Sequence, residues 1–486
     1  MEDNEYLLAF DVGTTAVKGA VYTTRGKCLF TESMTYPKHF RHPGWVEQSP
    51  SDWMHCIVSI INRAKEVVDF NQVSGVGVVS QVNTHVFVDK TGQALRDAIV
   101  WEDQRCAEVT DLLNQRIKEE SVAMPPLDSS SLVCRAEWLK KFEPYVWEKT
   151  YAILSPKDYC VLQLTGEYVT DGLTSIGLVD NLGSYLPEPL VLIEGLKDRL
   201  PVIKPITEIA GHVCEGWGLK AGCPVVTGTM DCWASLFGSG AFKVGEGFQV
   251  SGTSEILGLV SEKKLPSNGV VTFPVYEGRY LHAGPTQAGG DALKWFAEAQ
   301  DKTVEELVSQ IDSQPSKHGS ILFLPYLMGE RAPIWNPKAR GAFIGLTKHH
   351  DMPSMARAVM EGVGFSAKHV FERIEQAAGY NCKSILISGG ASRSDLWCQM
   401  KANIMNRTLK RVENTDSGTF GAALMVATGI GIYQNLDEAA VKGVMIDRCF
   451  EPEESASNYY ESLYKVYLQS SRQLAPVYES LYETVN

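Results

Sequence analysis

The first part of the chain alternates strand-like and helix-like patterns of apolar residues. Three apolar runs predict strands, at residues 6–11, 17–23 and 28–36. A helical pattern follows from about Ser51 to Val68, and Pro50 stands where a first-turn proline is favoured. The β-branched run Val73–Ser80 then predicts a buried strand. Strand, helix and strand in this order predict an α/β domain.

One short pattern occurs twice: an apolar strand, a turn with Gly and Thr, and a second apolar strand. The first copy has its turn at Gly13-Thr14-Thr15, and the second at Gly252-Thr253-Ser254. Two such hairpins predict a duplicated architecture, with domains at residues 1–244 and 245–486 and a hinge near residues 241–247. Gly-Thr-Ser turns are common, so a likeness over so few residues can also arise by chance.

Two later segments have clear patterns. The apolar run Ser384–Ser388 predicts a short buried strand, and Gly389-Gly390-Ala391 follows it before a helical pattern at residues 395–405. Glycines at a strand-to-helix junction permit close approach of a flat ligand such as adenine, although a tight connection without a ligand has the same pattern. Tyr and Leu recur at helical spacing over residues 458–482, which predicts a packing helix.

Composition narrows the class of protein. The chain has 486 residues, too many for one core, with 44% hydrophobic and 21% charged residues. The net charge of −13 argues against a nucleic-acid partner, because such proteins need a basic surface. An anionic ligand must therefore be attracted by local dipoles, a metal ion or a few cations.

The cysteines and the apolar runs indicate a compartment. The 11 cysteines include no Cys-x-x-Cys pair, which favours free thiols in a reducing environment. No apolar run approaches the length of a membrane span, and the chain starts with acidic residues where a signal peptide has basic ones. We expect a cytoplasmic protein without a membrane partner.

Two segments have candidate chemistry. The turn after Asp11 can hold phosphate oxygens through its N–H groups and hydroxyls, and Asp11 is suited to hold a divalent cation through water; an ordinary hairpin turn is the alternative. Asp231 stands at the start of an apolar helix, whose dipole favours an ionised carboxylate. Such a carboxylate can accept a hydroxyl proton, or it can simply cap the helix.

Over nearly its whole length the chain resembles the FGGY carbohydrate kinases of the actin-like ATPase superfamily. Several motifs stand in the family's order: Asp11-Val-Gly-Thr-Thr-x-x-Lys18, Pro43-Gly-Trp45-Val-Glu47-Gln48, Trp101-Glu-Asp103-Gln-Arg105, Pro156-Lys157-Asp158-Tyr159, Thr170-Asp171, Gly228-Thr-Met-Asp231 and Gly341-Ala-Phe343-Ile-Gly345 through Glu361. Two positions depart from the family's signatures, because Ser354 replaces an acid, amide or His and Arg135 replaces the Lys of Lys-x-x-Trp.

The resemblance implies a fold, a reaction and a set of site residues. The fold is α/β, with two actin-like (ribonuclease H-like) domains flanking a central nucleotide and substrate cleft that closes during catalysis. Asp231 is the implied catalytic base, and Asp11 is the implied ligand of Mg²⁺. The implied ATP-binding residues are Thr14, Thr15, Lys18, Gly252, Thr253, Gly290, Gly389, Gly390, Ala391 and Ser394.

The segment Gln81-Val82-Asn83-Thr84-His85 occupies the place of the family's sugar strand but matches neither xylulose nor glycerol kinases after Gln81. In an extended segment Gln81, Asn83 and His85 would share one face, as suits a neutral polyhydroxyl ligand. His85 can instead be a structural histidine outside the pocket. Trp101 would supply an apolar wall for the sugar, with core packing as its alternative. Val82 and Asp231 complete the expected sugar site.

These observations predict ATP-dependent phosphorylation of a small ketose or polyol. A pentulose such as D-xylulose is the first expectation, since Gly329-Glu-Arg-Ala-Pro333 looks more like xylulose than glycerol kinases. A glycerol or other polyol kinase is the alternative within the class. A non-catalytic actin-like protein that binds ATP and sugar is the alternative outside it. The expected partners are the small-molecule substrate and, left open, a second copy in a homodimer.

Overall fold

The computed structural model describes residues 5–121, 124, 126–180, 183–313 and 321–485; the acidic start, residues 1–4, lies outside them. Contacts divide the chain into two compact units. The first comprises residues 1–238 and 418–443, and the second comprises residues 239–417 and 444–486. The sequence-based boundary after residue 244 is thus six residues later than this division. The return of residues 418–443 to the first unit has no counterpart in that expectation.

The elements are numbered in chain order. The strands are β1 (Tyr6–Val12), β2 (Ala16–Thr23), β3 (Cys28–Thr35), β4 (Glu47–Gln48), β5 (Val73–Ser80), β6 (Val86–Val88), β7 (Ala98–Ile99), β8 (Ala152–Leu154), β9 (Val169–Thr170), β10 (Val202–Ile203), β11 (Ile209–His212), β12 (Pro224–Val226), β13 (Gly247–Ser251), β14 (Glu255–Ser261), β15 (Val271–Thr272), β16 (Tyr280–Pro285), β17 (Leu322–Leu324), β18 (Ala342–Ile344), β19 (Ser384–Ser388), β20 (Thr408–Val412) and β21 (Ile446–Phe450). The α-helices are α1 (Pro50–Ala64), α2 (Ala107–Glu119), α3 (Leu132–Phe142), α4 (Pro144–Lys149), α5 (Pro156–Thr165), α6 (Pro187–Leu192), α7 (Asp231–Ser239), α8 (Gly290–Glu298), α9 (Val304–Asp312), α10 (Met352–Ala378), α11 (Asp395–Met405), α12 (Ser417–Gly429), α13 (Leu436–Gly443) and α14 (Glu454–Val485).

The main sheet of the first unit has the strand order β11-β12-β5-β1-β2-β3. β1 pairs antiparallel with β2 and parallel with β5, and β12 extends the parallel part. Helix α1 buries Trp53, Ile57 and Ile60 in the core of this unit. The result is a twisted α/β layer whose parallel strands end at one edge.

The main sheet of the second unit has the order β15-β16-β14-β13-β19-β20-β21. β13 pairs antiparallel with β14 and parallel with β19, as β1 does with β2 and β5. An antiparallel strand, β11 or β21, follows the parallel strands in each unit. The predicted duplication is therefore confirmed by strand order and direction, with β15 as an addition to the second unit.

Two helices test the predicted patterns. Helix α1 ends at Ala64 rather than Val68, because the N–H groups of Glu66 and Val67 turn back to carbonyls only three residues earlier. The predicted C-terminal packing helix is confirmed as α14, whose buried tyrosines include Tyr460, Tyr464 and Tyr467. In the part of the chain that the structure describes, no helix combines the length and apolar character that crossing a membrane requires.

Candidate active site

Three segments of the first unit end side by side and carry acidic or amide side chains. In the parallel register Val12 lies opposite Ser80, and the Gln81 N–H donates to the Val12 carbonyl at 3.0 Å. The Ser80 N–H donates to the Thr229 carbonyl at 3.3 Å. The chain reverses after Asp11, bends after Ser80 and enters helix α7 after Thr229. Asp11, Gln81 and Asp231 are therefore gathered at one edge of the sheet.

Asp231 is the first residue of α7 and is half-buried. Its Oδ1 accepts from the Cys232 N–H at 2.7 Å, which favours the carboxylate, but burial disfavours it more strongly. The net effect raises the pKa of Asp231 to about 6. Desolvation therefore outweighs the helix dipole, which the sequence analysis expected to favour the ionised form. At neutral pH the carboxylate form still predominates.

A buried polar network fixes the loop before Asp231. The Thr229 hydroxyl donates to Asp171 Oδ1 at 2.9 Å, and Asp171 Oδ2 lies 2.9 Å from Lys157 Nζ. Lys157 also forms an ion pair with Asp158. These charges are buried among apolar helices and strands, so each needs the others as partners. The sequence analysis quoted the motifs Lys157-Asp158 and Thr170-Asp171 only for their resemblance to the family, and the structure joins them in this network.

Glycine at position 228 is required by the approach of this loop to β5. Its φ is +68°, and a Cβ atom there would lie 2.0 Å from the Val78 carbonyl oxygen. Only glycine avoids both the left-handed strain and the collision. The Gly-Thr-Met-Asp sequence therefore has a structural reason at its first position and a polar anchor at its second.

Hydrogen bonds at Gly13 fix the first phosphate-type turn, Gly13-Thr14-Thr15. The Gly13 N–H donates to the Ala16 carbonyl at 3.0 Å, and the Tyr36 hydroxyl donates to the Gly13 carbonyl. Thr14 is partly buried and Thr15 is exposed. Lys18 is exposed on β2, directly opposite Asp11 in the hairpin register. The structure thus brings Asp11, Thr14, Thr15 and Lys18 into one hairpin.

The expected sugar residues are not on one extended segment. β5 ends at Ser80, and Asn83 has a φ of +54°, so side chains do not alternate regularly from Gln81 to His85. Gln81 is only 2% exposed, and its Nε2 donates to Gln48 Oε1 at 2.8 Å. The shared-face prediction is therefore wrong for Gln81. Val82 and Asn83 are partly exposed.

Asn83 and His85 are tied to a residue that the sequence analysis noted only as a departure. Arg135 is fully buried, and its guanidinium donates to the Asn83 carbonyl at 2.7 Å and to the Val100 carbonyl at 2.6 Å. It also lies 3.2 Å from His85 Nδ1. Burial, together with this cation, lowers the pKa of His85 well below its usual range, so the ring is neutral. Asn83 and His85 line one small pocket together.

Trp101 connects the segment expected to bind sugar with the phosphate-type turn. Its Nε1–H donates to Thr14 Oγ1 at 3.1 Å, and its main-chain N–H donates to Thr84 Oγ1 at 3.2 Å. The ring is partly exposed. The residue expected to be a sugar wall therefore also fixes the threonine expected to bind phosphate.

In the second unit, the predicted second phosphate loop meets the start of helix α8. The Gly290 N–H donates to the Gly252 carbonyl at 2.8 Å, and the Asp291 N–H donates to the Thr253 carbonyl at 3.1 Å. Thr253 is exposed at the tip of the turn. Gly252, Thr253 and Gly290, which the sequence placed far apart, are thus brought together.

The predicted adenosine loop lies beside the same hairpin. Gly389 has a φ of +91°, and a Cβ atom there would lie 2.5 Å from the Ser251 carbonyl oxygen. Gly390 is exposed, and a Cβ atom there would meet nothing within 4 Å. Ala391 follows in the same short turn. Ser394 has a different task, since its hydroxyl caps α11 by accepting from the Trp397 N–H at 3.2 Å.

A second buried ion pair, missed from the sequence, supports the second hairpin. Glu255 opens β14 directly after the turn and pairs with Lys401 of α11, and both side chains are almost fully buried. Lys401 Nζ also donates to Ser251 Oγ at 2.8 Å, and Gln249 Nε2 donates to Glu255 Oε2 at 2.9 Å. Nothing in the sequence indicated this pair, because Lys401 lies 146 residues beyond Glu255 in the chain.

The residues suit a magnesium ion carried by a nucleotide. Within the described ranges, no group of three or more His, Cys, Asp or Glu side chains is arranged to hold a metal. Mg²⁺ in phosphoryl-transfer sites is usually held by one or two carboxylates together with water and substrate phosphates. Asp11, half-buried beside the phosphate-type turn, is a donor of that kind.

The repeated sheet order, with a Gly-Thr turn after the first strand of each unit, defines an α/β protein of two actin-like domains. Family models for the N-terminal and C-terminal domains of the FGGY family of carbohydrate kinases match residues 6–238 and 247–430. The chain belongs to this family. It is therefore a carbohydrate kinase by family, which implies ATP as the phosphoryl donor.

Curated relatives and solved structures match the chain over nearly its whole length. The chain is 28% identical to a xylulose kinase of Lactococcus lactis, with 98% of this chain and 99% of the relative covered. It is 28% identical to a glycerol kinase of Saccharolobus islandicus, with 90% of each covered. A ligand-bound xylulose kinase from Lactobacillus acidophilus is 26% identical and has a TM-score of 0.86, with 98% of this chain and 100% of that chain covered.

Proposed function

We propose that the protein transfers the γ-phosphate of ATP to a hydroxyl of a small ketose, with a pentulose such as D-xylulose as the preferred substrate. The observation that carries the proposal is Asp231, an acid with a pKa of about 6 at the start of α7, beside the ends of β1 and β5. A general base works best when its pKa lies near the operating pH.

In this reaction the substrate hydroxyl oxygen attacks the γ-phosphorus, and the bond from that phosphorus to the bridging oxygen of ADP breaks. Asp231 accepts the hydroxyl proton. Thr14, Thr15 and Thr253 donate hydrogen bonds to phosphate oxygens, where negative charge develops. Lys18 supplies positive charge beside the first turn. Mg²⁺, held through Asp11 and the phosphates, would supply charge neutralisation.

The remaining residues bind the two substrates. Gly252, Gly290, Gly389, Gly390 and Ala391 shape the nucleotide site, and Ser394 acts through the helix that it caps. Asn83, Val82 and Trp101 bind the sugar, with Gln81 and His85 supporting them from buried positions. The names of the relatives favour xylulose, and the glycerol kinase relative keeps glycerol or another polyol as the second candidate.

ADP release measured with a panel of pentuloses, hexuloses and polyols tests this proposal. We expect sugar-dependent release, highest with a pentulose, and a fall of about 10²-fold or more in Asp231→Asn, which is nearly isosteric but cannot take the proton. As the control for folding, ATP is titrated into the Asp231→Asn variant, which should still bind the nucleotide. ADP release that no sugar stimulates would contradict the proposal and favour a non-catalytic binding protein.

A further inference from the structure

Gln48 occupies an unusual position between the two parts of the first unit's site. It lies on β4, opposite Ala98 of β7, and its side chain is completely buried. Both ends of its amide are used: Oε1 accepts from Gln81 Nε2 at 2.8 Å, and Nε2 donates to the Thr14 carbonyl at 2.6 Å. One side chain therefore joins the segment expected to bind sugar to the turn expected to bind phosphate.

The same short sheet makes a second connection to Thr14. β7 leads through Val100 into Trp101, whose indole N–H donates to Thr14 Oγ1 at 3.1 Å. Thr14 is thus held at its carbonyl by Gln48 and at its hydroxyl by Trp101. Fixing the carbonyl also sets the plane of the following peptide group, and with it the direction of the Thr15 N–H.

We propose that Gln48 is a positioning residue, which orients the phosphate-binding turn according to the placement of the sugar segment. The inference rests on the proposed kinase function and adds a residue that contacts neither ligand. Replacing Gln48 moves the turn away from the geometry that stabilises the transferred phosphoryl group. A misplacement of about 1 Å can reduce a rate about 10²-fold, so kcat should fall. Sugar binding itself depends on other side chains, so kcat falls more than the KM for sugar rises.

Gln48→Glu and Gln48→Met separate this role from simple packing. Methionine has nearly the same volume as glutamine and removes both hydrogen bonds. Glutamate keeps the acceptor for Gln81 but, when ionised, cannot donate to the Thr14 carbonyl. We expect both variants to lose at least about 10-fold in kcat at pH 8, with the sugar KM changed less than about threefold.

The pH dependence gives a readout that a purely structural role would not move. When the introduced carboxyl is protonated, it regains a donor for the Thr14 carbonyl. The ratio of Gln48→Glu activity to wild-type activity should therefore rise as pH falls from 8 to 6, whereas the ratio for Gln48→Met should stay constant. Taking the ratio to wild type removes the titration of Asp231 from the comparison.

Gln163→Glu is the matched control. Gln163 also donates from Nε2 to a main-chain carbonyl, that of Gly92 at 2.8 Å, and it lies on α5 of the same unit. Its replacement should leave kcat within about twofold of wild type. If wild type shows no sugar-dependent ADP release, the kinase proposal fails. If wild type is active and the Gln48 variants match the Gln163 variant, the positioning role fails. The role would also be overturned if kcat fell and the sugar KM rose by the same factor in the Gln48 variants, without the recovery of Gln48→Glu activity at low pH.

Discussion

At the residue scale, the strongest conclusions come from buried polar side chains whose partners are far away in sequence. Gln48 and Glu255 each look unremarkable in the linear chain. In the folded units each is buried and bound to a distant side chain, Gln48 to Gln81 and Glu255 to Lys401. Desolvation makes an unpaired polar group expensive, so such residues fix one local geometry.

The pH dependence of activity follows from Asp231. Its pKa of about 6 lies above the ordinary value of 3.8 because burial disfavours the charge. The base form is required, so kcat/KM for sugar should be level above about pH 7 and fall about 10-fold per pH unit well below pH 6. Initial-rate measurements from pH 5 to 8 check this. A profile that stays level down to pH 5 would show that another group, or none, takes the proton.

The second prediction at the residue scale concerns the loss of the Asn83 side chain. Because its φ is +54°, alanine there would add left-handed backbone strain, and Asn83→Gly removes the side chain more cleanly. We expect kcat/KM for sugar to fall by a factor that corresponds to a loss of about 1–3 kcal/mol of transition-state stabilisation. The KM for ATP should not change. Ser130→Ala is the control, since it removes the partner of Asn83 Nδ2 at 3.0 Å but keeps the amide. An unaltered substrate profile in Asn83→Gly would place sugar choice elsewhere.

At the element scale, the sequence predicted what local patterns determine. The β1–β2 hairpin, β5, β19 and α11 agree with their predicted ranges to within a residue or so. Apolar runs between turn residues leave few alternatives for such elements. The same reasoning predicted the packing role of α14, whose tyrosines recur at helical spacing.

Features that depend on contacts between residues distant in sequence could not be predicted from the sequence. Helix α12 is apolar on nearly all sides, so it has no polar face that shows where it packs, and its return to the first unit could not be predicted. The left-handed turn at Asn83 broke the strand periodicity assumed for residues 81–85. The raised pKa of Asp231 depends on burial, which local spacing does not reveal.

The packing of α14 on α10 gives a stability prediction. Glu361 of α10 is 4% exposed, and it accepts from the Tyr460 hydroxyl of α14 at 3.0 Å. Burial raises its pKa from 4.5 to about 7. The folded state therefore binds this proton more tightly than the unfolded state, and the free energy of unfolding falls as pH rises from about 4.5 to 7. For Glu361 alone the loss is about 3 kcal/mol.

Glu361→Gln should flatten this pH dependence, because the amide keeps an acceptor for Tyr460 and does not titrate. Denaturant unfolding at pH 5, 6, 7 and 8 measures the effect. Glu454→Gln, at the exposed start of α14, should retain the wild-type slope. Equal slopes in wild type and Glu361→Gln would mean that the buried carboxyl does not hold its proton in the folded state.

At the scale of the whole molecule, the two units share one sheet plan but carry different side chains at the corresponding edges. In the first unit the edge beyond β1 and β5 carries Asp11, Asp231 and residues 81–85, the segment proposed to bind sugar. In the second unit the corresponding edge beyond β13 and β19 carries glycines and Thr253, and Val250 of β13 stands two residues before the Gly of the turn, where the first unit has Asp11. The acidic side chains suit proton transfer and metal binding, whereas the glycines suit close approach of a nucleotide.

This separation predicts that nucleotide affinity can be changed alone. Gly390→Ala adds a methyl group that, among the described residues other than its chain neighbours, meets nothing within 4 Å, so the folded state should be unaffected. A nucleotide lying over Gly390 would collide with that methyl group, and we expect the ATP KM to rise about 10-fold, or about 1.4 kcal/mol, with the sugar KM unchanged. Gly389→Ala is the contrasting variant: its φ of +91° and a contact of 2.5 Å with the Ser251 carbonyl oxygen should also lower the melting temperature. Steady-state kinetics with each substrate varied, together with thermal unfolding, distinguish the two. An unchanged ATP KM in Gly390→Ala would show that the nucleotide does not pass over this loop.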